Sequence, residues 1–114
     1  MPFVFSYGTL QQAETQLSTF GRRLAGHHDE LPGYEVSSVE IDDPAIRAAS
    51  GRTHHDNVTF NGRNDSLVSG TVFEINDAEL ADADRYEQKA RYVRISVQLA
   101  SGRRAWVYVD ARTT

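Results

Sequence analysis

The chain has 114 residues and a formal net charge of -4 at neutral pH, with no cysteine. That length predicts one domain, spanning 1–114, with a core that needs no covalent staples. The missing cysteines exclude disulfides, thiolate metal sites and a cysteine nucleophile. The arginines are scattered along the chain, which disfavours nucleic acid as a partner, because phosphate attraction needs concentrated positive charge. No basic-then-apolar leader opens the sequence and no window holds about 18 consecutive apolar residues, so a soluble, cytoplasmic protein that does not enter a membrane is expected.

Phe3-Val4-Phe5-Ser6-Tyr7-Gly8-Thr9-Leu10 begins with an unbroken apolar run, which predicts a central strand buried on both faces. It ends at Gly8, a residue that tolerates positive φ and close approach of another molecule to the backbone. The polar run from Gln11 to Ser18, with Leu17 and Phe20 and then Gly21, predicts a short helix. From Arg22 to Ile41 the chain reads as strand material broken at Pro32-Gly33, the order a type II turn prefers. After that turn Tyr34, Val36 and Ser38 alternate with Glu35, Ser37 and Val39, as in a half-buried strand.

Asp42 to Asn57 carries Pro44, Gly51, His54 and His55 with little periodicity beyond an apolar patch at Ala45-Ile46 and Ala48-Ala49. A long loop is expected there, bordering a pocket. Asn61-Gly62 signals a turn that would join Val58-Thr59-Phe60 to a core strand at Val68 to Ile75 as a hairpin. Gly70 within that strand allows a bulge or close approach. Asn76 to about Glu87 is the clearest helix, because Asn76 can cap it and Glu79 can complete a capping box. Tyr92 to Leu99 alternates, placing Val93, Ile95, Val97 and Leu99 toward the core and Tyr92 and Arg94 on the other side. Ser101-Gly102 then turns the chain into an antiparallel partner at Ala105 to Val109. This order predicts an α+β domain built on a small, mixed, mostly antiparallel sheet that curls into a barrel with flanking helices.

Two places carry chemistry. On a helical wheel of about 100° per residue, Leu80, Ala83 and Asp84 share a face and Glu87 falls in its middle. Burial disfavours the charged form of a carboxyl, and a carboxyl titrating near neutrality is a good proton-transfer group. Glu87 is also in the last turn, which leaves open an exposed side chain paired with Arg85, Lys89 or Arg91. The turn Tyr7-Gly8-Thr9-Leu10 either serves packing alone or presents main-chain N–H groups as an anion-binding concavity, fit for a carboxylate or a developing oxyanion.

At these residues the chain resembles the gamma-glutamylcyclotransferase-like family, particularly its small members related to gamma-glutamylamine cyclotransferase. Phe5-Ser6-Tyr7-Gly8-Thr9-Leu10 resembles the N-terminal Tyr-Gly-(Thr/Ser)-Leu signature, and Leu31-Pro32-Gly33-Tyr34 the Leu-Pro-Gly-Tyr turn. Asp43-Pro44-Ala45-Ile46 loosely matches the piece that follows, and Gly70-Thr71-Val72-Phe73-Glu74-Ile75 is similar to the family's Gly-x-(Val/Leu)-(Tyr/Phe)-x-Ile strand. Leu80, Asp84, Tyr86 and Glu87 fall on Leu-x3-Asp-x-(Tyr/Phe)-Glu, with Tyr92-x-Arg94 and Val107-Tyr108-Val109 after them in the expected order.

The resemblance implies a small β-barrel with flanking helices and a small-molecule gamma-glutamyl substrate. Glu87 would take a proton from the substrate's α-amine as it attacks its own γ-carbonyl to close 5-oxoproline, and would return that proton to the departing amine. The amides of Gly8, Thr9 and Leu10 would hold the substrate, with Tyr7 and Tyr92 counted beside them as binding residues. No metal or organic cofactor is required. Two departures bear on the Glu87 loop: Gln88 stands where members often have glycine, and Tyr92 comes five residues after the acid rather than four. Residues 47–66 have no family match and would shape the amine side of the pocket.

Two rivals differ in class. One is a catalytically silent domain of the same fold that binds a small amino-acid-like ligand. The other is a metal enzyme using His27-His28 and His54-His55-Asp56, against which stand the wrong helical spacing and the expectation that the second pair is a solvated loop.

Overall fold

The computed structural model describes residues 1–113. In chain order the elements are β1 (Phe3–Ser6), α1 (Ala13–Phe20), β2 (Gly26–Pro32), β3 (Tyr34–Glu40), α2 (Pro44–Ser50), β4 (His54–Phe60), β5 (Leu67–Glu74), α3 (Asp77–Gln88), β6 (Tyr92–Gln98) and β7 (Arg104–Asp110). Short 3-10 turns occupy Thr9–Gln11 and Ala111–Thr113.

The apolar opening run becomes the middle strand of a five-stranded sheet, ordered β2-β5-β1-β7-β6. β1 is antiparallel to β5, with Phe5 opposite Val72, and parallel to β7, with Val4 opposite Trp106. The remaining pairs, β2 with β5 and β6 with β7, are antiparallel. Alternate β1 side chains enter different cores. Val4 packs with Leu10, Phe73, Ile75, Leu80 and Ala83, on the side that α3 covers. Phe5 packs with Leu31, Val58, Val72 and Val107, on the side that β4 covers. A strand covered on both sides has no wet face to mark with polar residues, which is why its sequence does not alternate. Each such side chain contributes about 1.5–3 kcal/mol on burial.

The mixed, mostly antiparallel α+β architecture is as expected, but the barrel is not. β3 and β4 form a separate two-stranded ribbon, and the five-stranded sheet remains open. The stretch expected as a loop from 42 to 57 is instead α2 followed by most of β4. Asp43 caps α2 by accepting from the Ala45 N–H, Pro44 opens it, and Gly51 closes it at φ 69°. The expected hairpin at Asn61-Gly62 does not form, because β4 pairs with β3 while β5 pairs with β1 and β2. Gly33, at φ 81°, carries the chain out of the sheet into the ribbon. Its carbonyl accepts from the N–H groups of Asn61 and Gly62, tying the two crossings together.

Two packing expectations also change. No residue of β3 is buried, since the ribbon presents its outer face to solvent. Val93 is 39% exposed because β6 is an edge strand, whereas Val97 and Leu99 are buried as expected. In α1 the buried residue is Gln16, while Leu17 is exposed. The Gln16 amide uses both ends, donating to the Leu10 carbonyl at 2.9 Å and accepting from the Leu24 N–H at 2.8 Å. That clamp fixes the turn after β1. Among the described residues, no helix is long and apolar enough to cross a membrane.

Candidate active site

Gly70 brings the first wall of the site into place. A Cβ built there would lie 2.4 Å from the Ser6 carbonyl oxygen and 2.7 Å from Phe5 Cζ, so only glycine lets β5 lie this close to the end of β1. The chain leaves β1 at Ser6 and turns through Tyr7 to Leu10. Gly8 does not use positive φ, standing instead at φ -134°. A Cβ at Gly8 would meet nothing within 4 Å, so its bareness leaves open space. The Gly8 N–H is already taken by Ser6 Oγ at 3.2 Å. The N–H groups of Thr9 and Leu10 have no partner among the described residues. The expected trio of free amides is therefore a pair.

α3 supplies the second wall. Its capping box is complete: Asn76 Oδ1 accepts from the Glu79 N–H at 2.7 Å and Glu79 Oε1 from the Asn76 N–H at 3.0 Å. The helix therefore starts where the sequence places it, and Leu80, Ala83 and Glu87 all land on its buried face. Glu87 is 8% exposed. Neither Arg85, Lys89 nor Arg91 pairs with it: Arg85 binds Asp82 and Arg91 binds Asp43, and the Glu87 carboxylate has no hydrogen bond or ion pair among the described residues. Burial without compensation pushes its carboxyl up to about 7.

Three phenols surround this acid and none donates to it. Tyr7 Oη donates to the Tyr108 carbonyl at 2.8 Å, Tyr108 Oη to Asp84 Oδ1 at 2.7 Å, and Tyr92 Oη to the Asp56 carbonyl. Burial first, and the nearby Glu87 charge among the lesser causes, hold all three phenols protonated far above their ordinary range. Glu87 thus faces neutral hydroxyls whose protons are committed elsewhere. Its lone pairs are left for something else.

The turn and Glu87 line one cavity of about 760 Å³. Tyr7, Gly8, Thr9, Leu10 and Tyr92, the other residues singled out from the sequence, line it too. Thr9 Oγ1 and Tyr86 Oη are 2.8 Å apart, so the turn is joined to the helix residue next to Glu87. A third wall comes from α2, β4 and the turn between them, with Ala45, Ile46, Ala49, Arg52, His55 and Asp56. The unmatched region therefore does shape the pocket, as a helix and strand in place of a loop.

Sequence reasoning passed over one cluster on that wall. His55 is not a solvated loop residue: it lies in β4, its side chain is 11% exposed, and its Nε2 is 2.8 Å from Asp110 Oδ2. Burial opposes the charge of Asp110, but the Arg112 guanidinium and N–H, with His55, outweigh it and bring the carboxyl down to about 2. The one local signal was an acid closing the apolar run Val107-Tyr108-Val109. Among the described residues, no three His, Cys, Asp or Glu side chains are grouped to hold a metal ion.

No curated protein matches the chain. Among solved structures, the Arabidopsis thaliana protein At3g28950.1 is similar at TM-score 0.75 and 19% identity, covering 98% of this chain and 63% of its own. A second Arabidopsis thaliana protein, At5g39720.1, is similar at TM-score 0.72 and 17% identity, covering 99% and 70%. A structure described as gamma-glutamyl cyclotransferase is similar at TM-score 0.69 and 15% identity, covering 96% and 66%. The chain thus spans 63–70% of the length of these proteins, which share its fold. The model of the family described as gamma-glutamyl cyclotransferase, AIG2-like, matches residues 4–113. Covered almost from end to end by that match, the chain belongs to the gamma-glutamyl cyclotransferase, AIG2-like family.

Proposed function

We propose that the chain is a gamma-glutamylcyclotransferase, releasing 5-oxoproline from a gamma-glutamyl amine or gamma-glutamyl amino acid, with Glu87 as general acid/base. The observation that carries this is a buried, unpaired carboxyl, which burial pushes up to about 7, on the wall of the same cavity as the turn that leaves two amides free.

The chemistry follows from those groups. The substrate's α-amine attacks its own γ-carbonyl carbon, forming a five-membered ring, and the carbonyl oxygen gains charge. Attacker and target belong to one molecule, so holding the chain folded supplies much of the rate. The Thr9 and Leu10 N–H groups meet the developing oxyanion or the substrate carboxylate. Glu87 takes the proton that the attacking nitrogen sheds. The departing nitrogen needs a proton before its bond to the carbonyl carbon breaks, and protonated Glu87 is one donor for it. The amine half lies along α2 and β4. No step calls on a metal or organic cofactor.

Incubation of the purified protein with gamma-glutamyl amino acids, gamma-glutamyl-ε-lysine and glutathione, with 5-oxoproline as readout, tests the reading. Release that persists undiminished in Glu87→Gln removes Glu87 from the mechanism. No release from any of them, together with a thermal shift on adding glutamate or 5-oxoproline, instead supports a catalytically silent binding domain.

A further inference from the structure

In the same cavity as Glu87, the wall built by β4 holds a histidine whose surroundings differ from those of any other titratable group there. His55 lines the cavity, and its ring lies against that of Tyr92, with centroids 4.7 Å apart and planes inclined by 31°. Its Nε2 is 2.8 Å from Asp110 Oδ2. Asp110 is 1% exposed and held ionised, and an ionised carboxylate only accepts, so Nε2 must carry the proton of that bond. The tautomer is thereby fixed. Nδ1 is the nitrogen left over, and it has no partner among the described residues.

Asp110 is itself anchored. Its carboxylate accepts from Arg112 Nη2 at 2.9 Å and from the Arg112 N–H at 2.8 Å, and its own N–H donates to Asn57 Oδ1 at 2.9 Å. Asn57 is fully buried, two residues from His55 in the same strand. The charged and titratable groups around the imidazole are therefore Asp110 and, through it, Arg112 on the β7 side, Tyr92 of β6, and the neighbouring Asp56. A carboxylate that orients an imidazole and leaves its other ring nitrogen unengaged at a cavity wall is the arrangement a proton-transfer group needs.

The position of the wall assigns the donor its target. The gamma-glutamyl end of the substrate occupies the turn and Glu87, so the leaving amine extends toward α2 and β4. We infer that His55 is a second acid/base group of this site, donating a proton from Nδ1 to the departing amine, with Asp110 as its positioning residue. This rests on the cyclotransferase reading. The balance is closed: the attacking nitrogen loses one proton to Glu87 as the new C–N bond forms, water passes that proton on to the free Nδ1 of His55, and the departing nitrogen gains it from Nδ1 as the old C–N bond breaks. Glu87 and His55 end as they began, without any oxidant or co-reactant.

The test compares leaving groups. An alkylamine is too basic to leave without a proton, whereas 4-nitroaniline is a far better leaving group and depends much less on an acid. His55→Gln is expected to lower kcat at least about 100-fold on gamma-glutamyl-ε-lysine, at the lower end of what acid/base groups supply. The loss on gamma-glutamyl-4-nitroanilide is expected to be under about 10-fold, since the acid has less to do there. Asp110→Asn should show the same split in weaker form, and Glu87→Gln should lose on both substrates. Equal losses by His55→Gln on the two substrates overturn the role of His55 and leave the cyclotransferase reading standing. A wild-type protein that releases 5-oxoproline from neither overturns both. The unsubstituted protein gives a second measurement in case His55→Gln folds poorly. Long-range 15N–1H spectra should show His55 protonated at Nε2, with Nδ1 shifting when 5-oxoproline and lysine are added together; an unmoved Nδ1 overturns the proposal.

Discussion

Thr9 Oγ1 and Tyr86 Oη share a hydrogen bond of 2.8 Å across a sequence separation of 77 residues. Thr9 belongs to the turn whose amides are free, and Tyr86 precedes Glu87 on α3. The bond therefore sets how far the gripping half of the site stands from the proton-transfer half. Thr9→Val and Tyr86→Phe each remove it while keeping most of the side-chain volume. Each is expected to lower kcat/KM about 10-fold, and the double variant no more than either alone, because both delete one coupling of roughly 1 kcal/mol. Melting temperatures should stay near the wild-type value, since the pair is exposed. Additive losses in the double variant would mean that the two residues act separately.

Glu87 predicts an unusual pH dependence. Burial raises its folded pKa to about 7 from the ordinary value of 4.5, so between those values the folded protein binds more protons than the unfolded chain. The stabilisation is complete below about 4.5 and is lost as the pH rises through 7, by about 3 kcal/mol in all. Glu87→Gln removes the titration, and urea melts of the two proteins should diverge across this window and run parallel above it. Turnover has the opposite slope, because the carboxylate is the base: kcat/KM should rise with an apparent pKa near 7. A stability difference that does not change with pH would contradict the burial argument.

How much was legible depends on how local the signal was. The central strand announced itself because Phe3-Val4-Phe5 lacks alternation, and α3 because its cap and capping box lie within four residues of sequence. Glu87 was visible as a charge interrupting an apolar helical face. α2 was missed although Asp43, Pro44 and Gly51 are a complete set of start and stop signals, since seven residues hold too few turns to display a period. The ribbon was missed because turn residues at Asn61-Gly62 do not reveal which strands pair; β3 and β4 are joined through α2. His55 was out of reach, since the group that makes it more than a surface histidine is Asp110, 55 residues away.

Gly70 carries a structural prediction. A Cβ there would meet the Ser6 carbonyl at 2.4 Å and the Phe5 ring at 2.7 Å and 3.0 Å. The carbonyl is backbone and cannot rotate aside, so β1 must move off β5. Gly70→Ala is expected to destabilise the fold by about 2–3 kcal/mol, in the range that overpacking costs, and to reduce turnover at temperatures where the protein is still folded, because the shift propagates to Tyr7-Gly8-Thr9-Leu10. Gly8→Ala is the contrast, since its Cβ would meet nothing within 4 Å. It should leave the melting temperature nearly unchanged. Equal destabilisation by the two substitutions would show that the close strand approach is not what Gly70 provides.

Asp110 gives the mirror image of Glu87. Its pKa is lowered from 3.8 to about 2, so here the unfolded chain binds the extra proton. The stabilisation is fully present above about 3.8 and disappears as the pH falls through 2, amounting to about 2 kcal/mol. Asp110→Asn should be less stable than wild type at neutral pH by about 3 kcal/mol or more, since the substitution also strips the partners from His55 and Arg112. That deficit should shrink as the pH falls from about 4 toward 2, the reverse of the Glu87→Gln comparison, which changes between 4.5 and 7. The two difference curves thus occupy separate pH windows, and denaturant melts at pH 2, 4, 5.5 and 7.5 distinguish them. A deficit in Asp110→Asn that stays constant down to pH 2 would mean the carboxylate contributes shape alone, and the ionised partner that fixes the His55 tautomer would be lost with it.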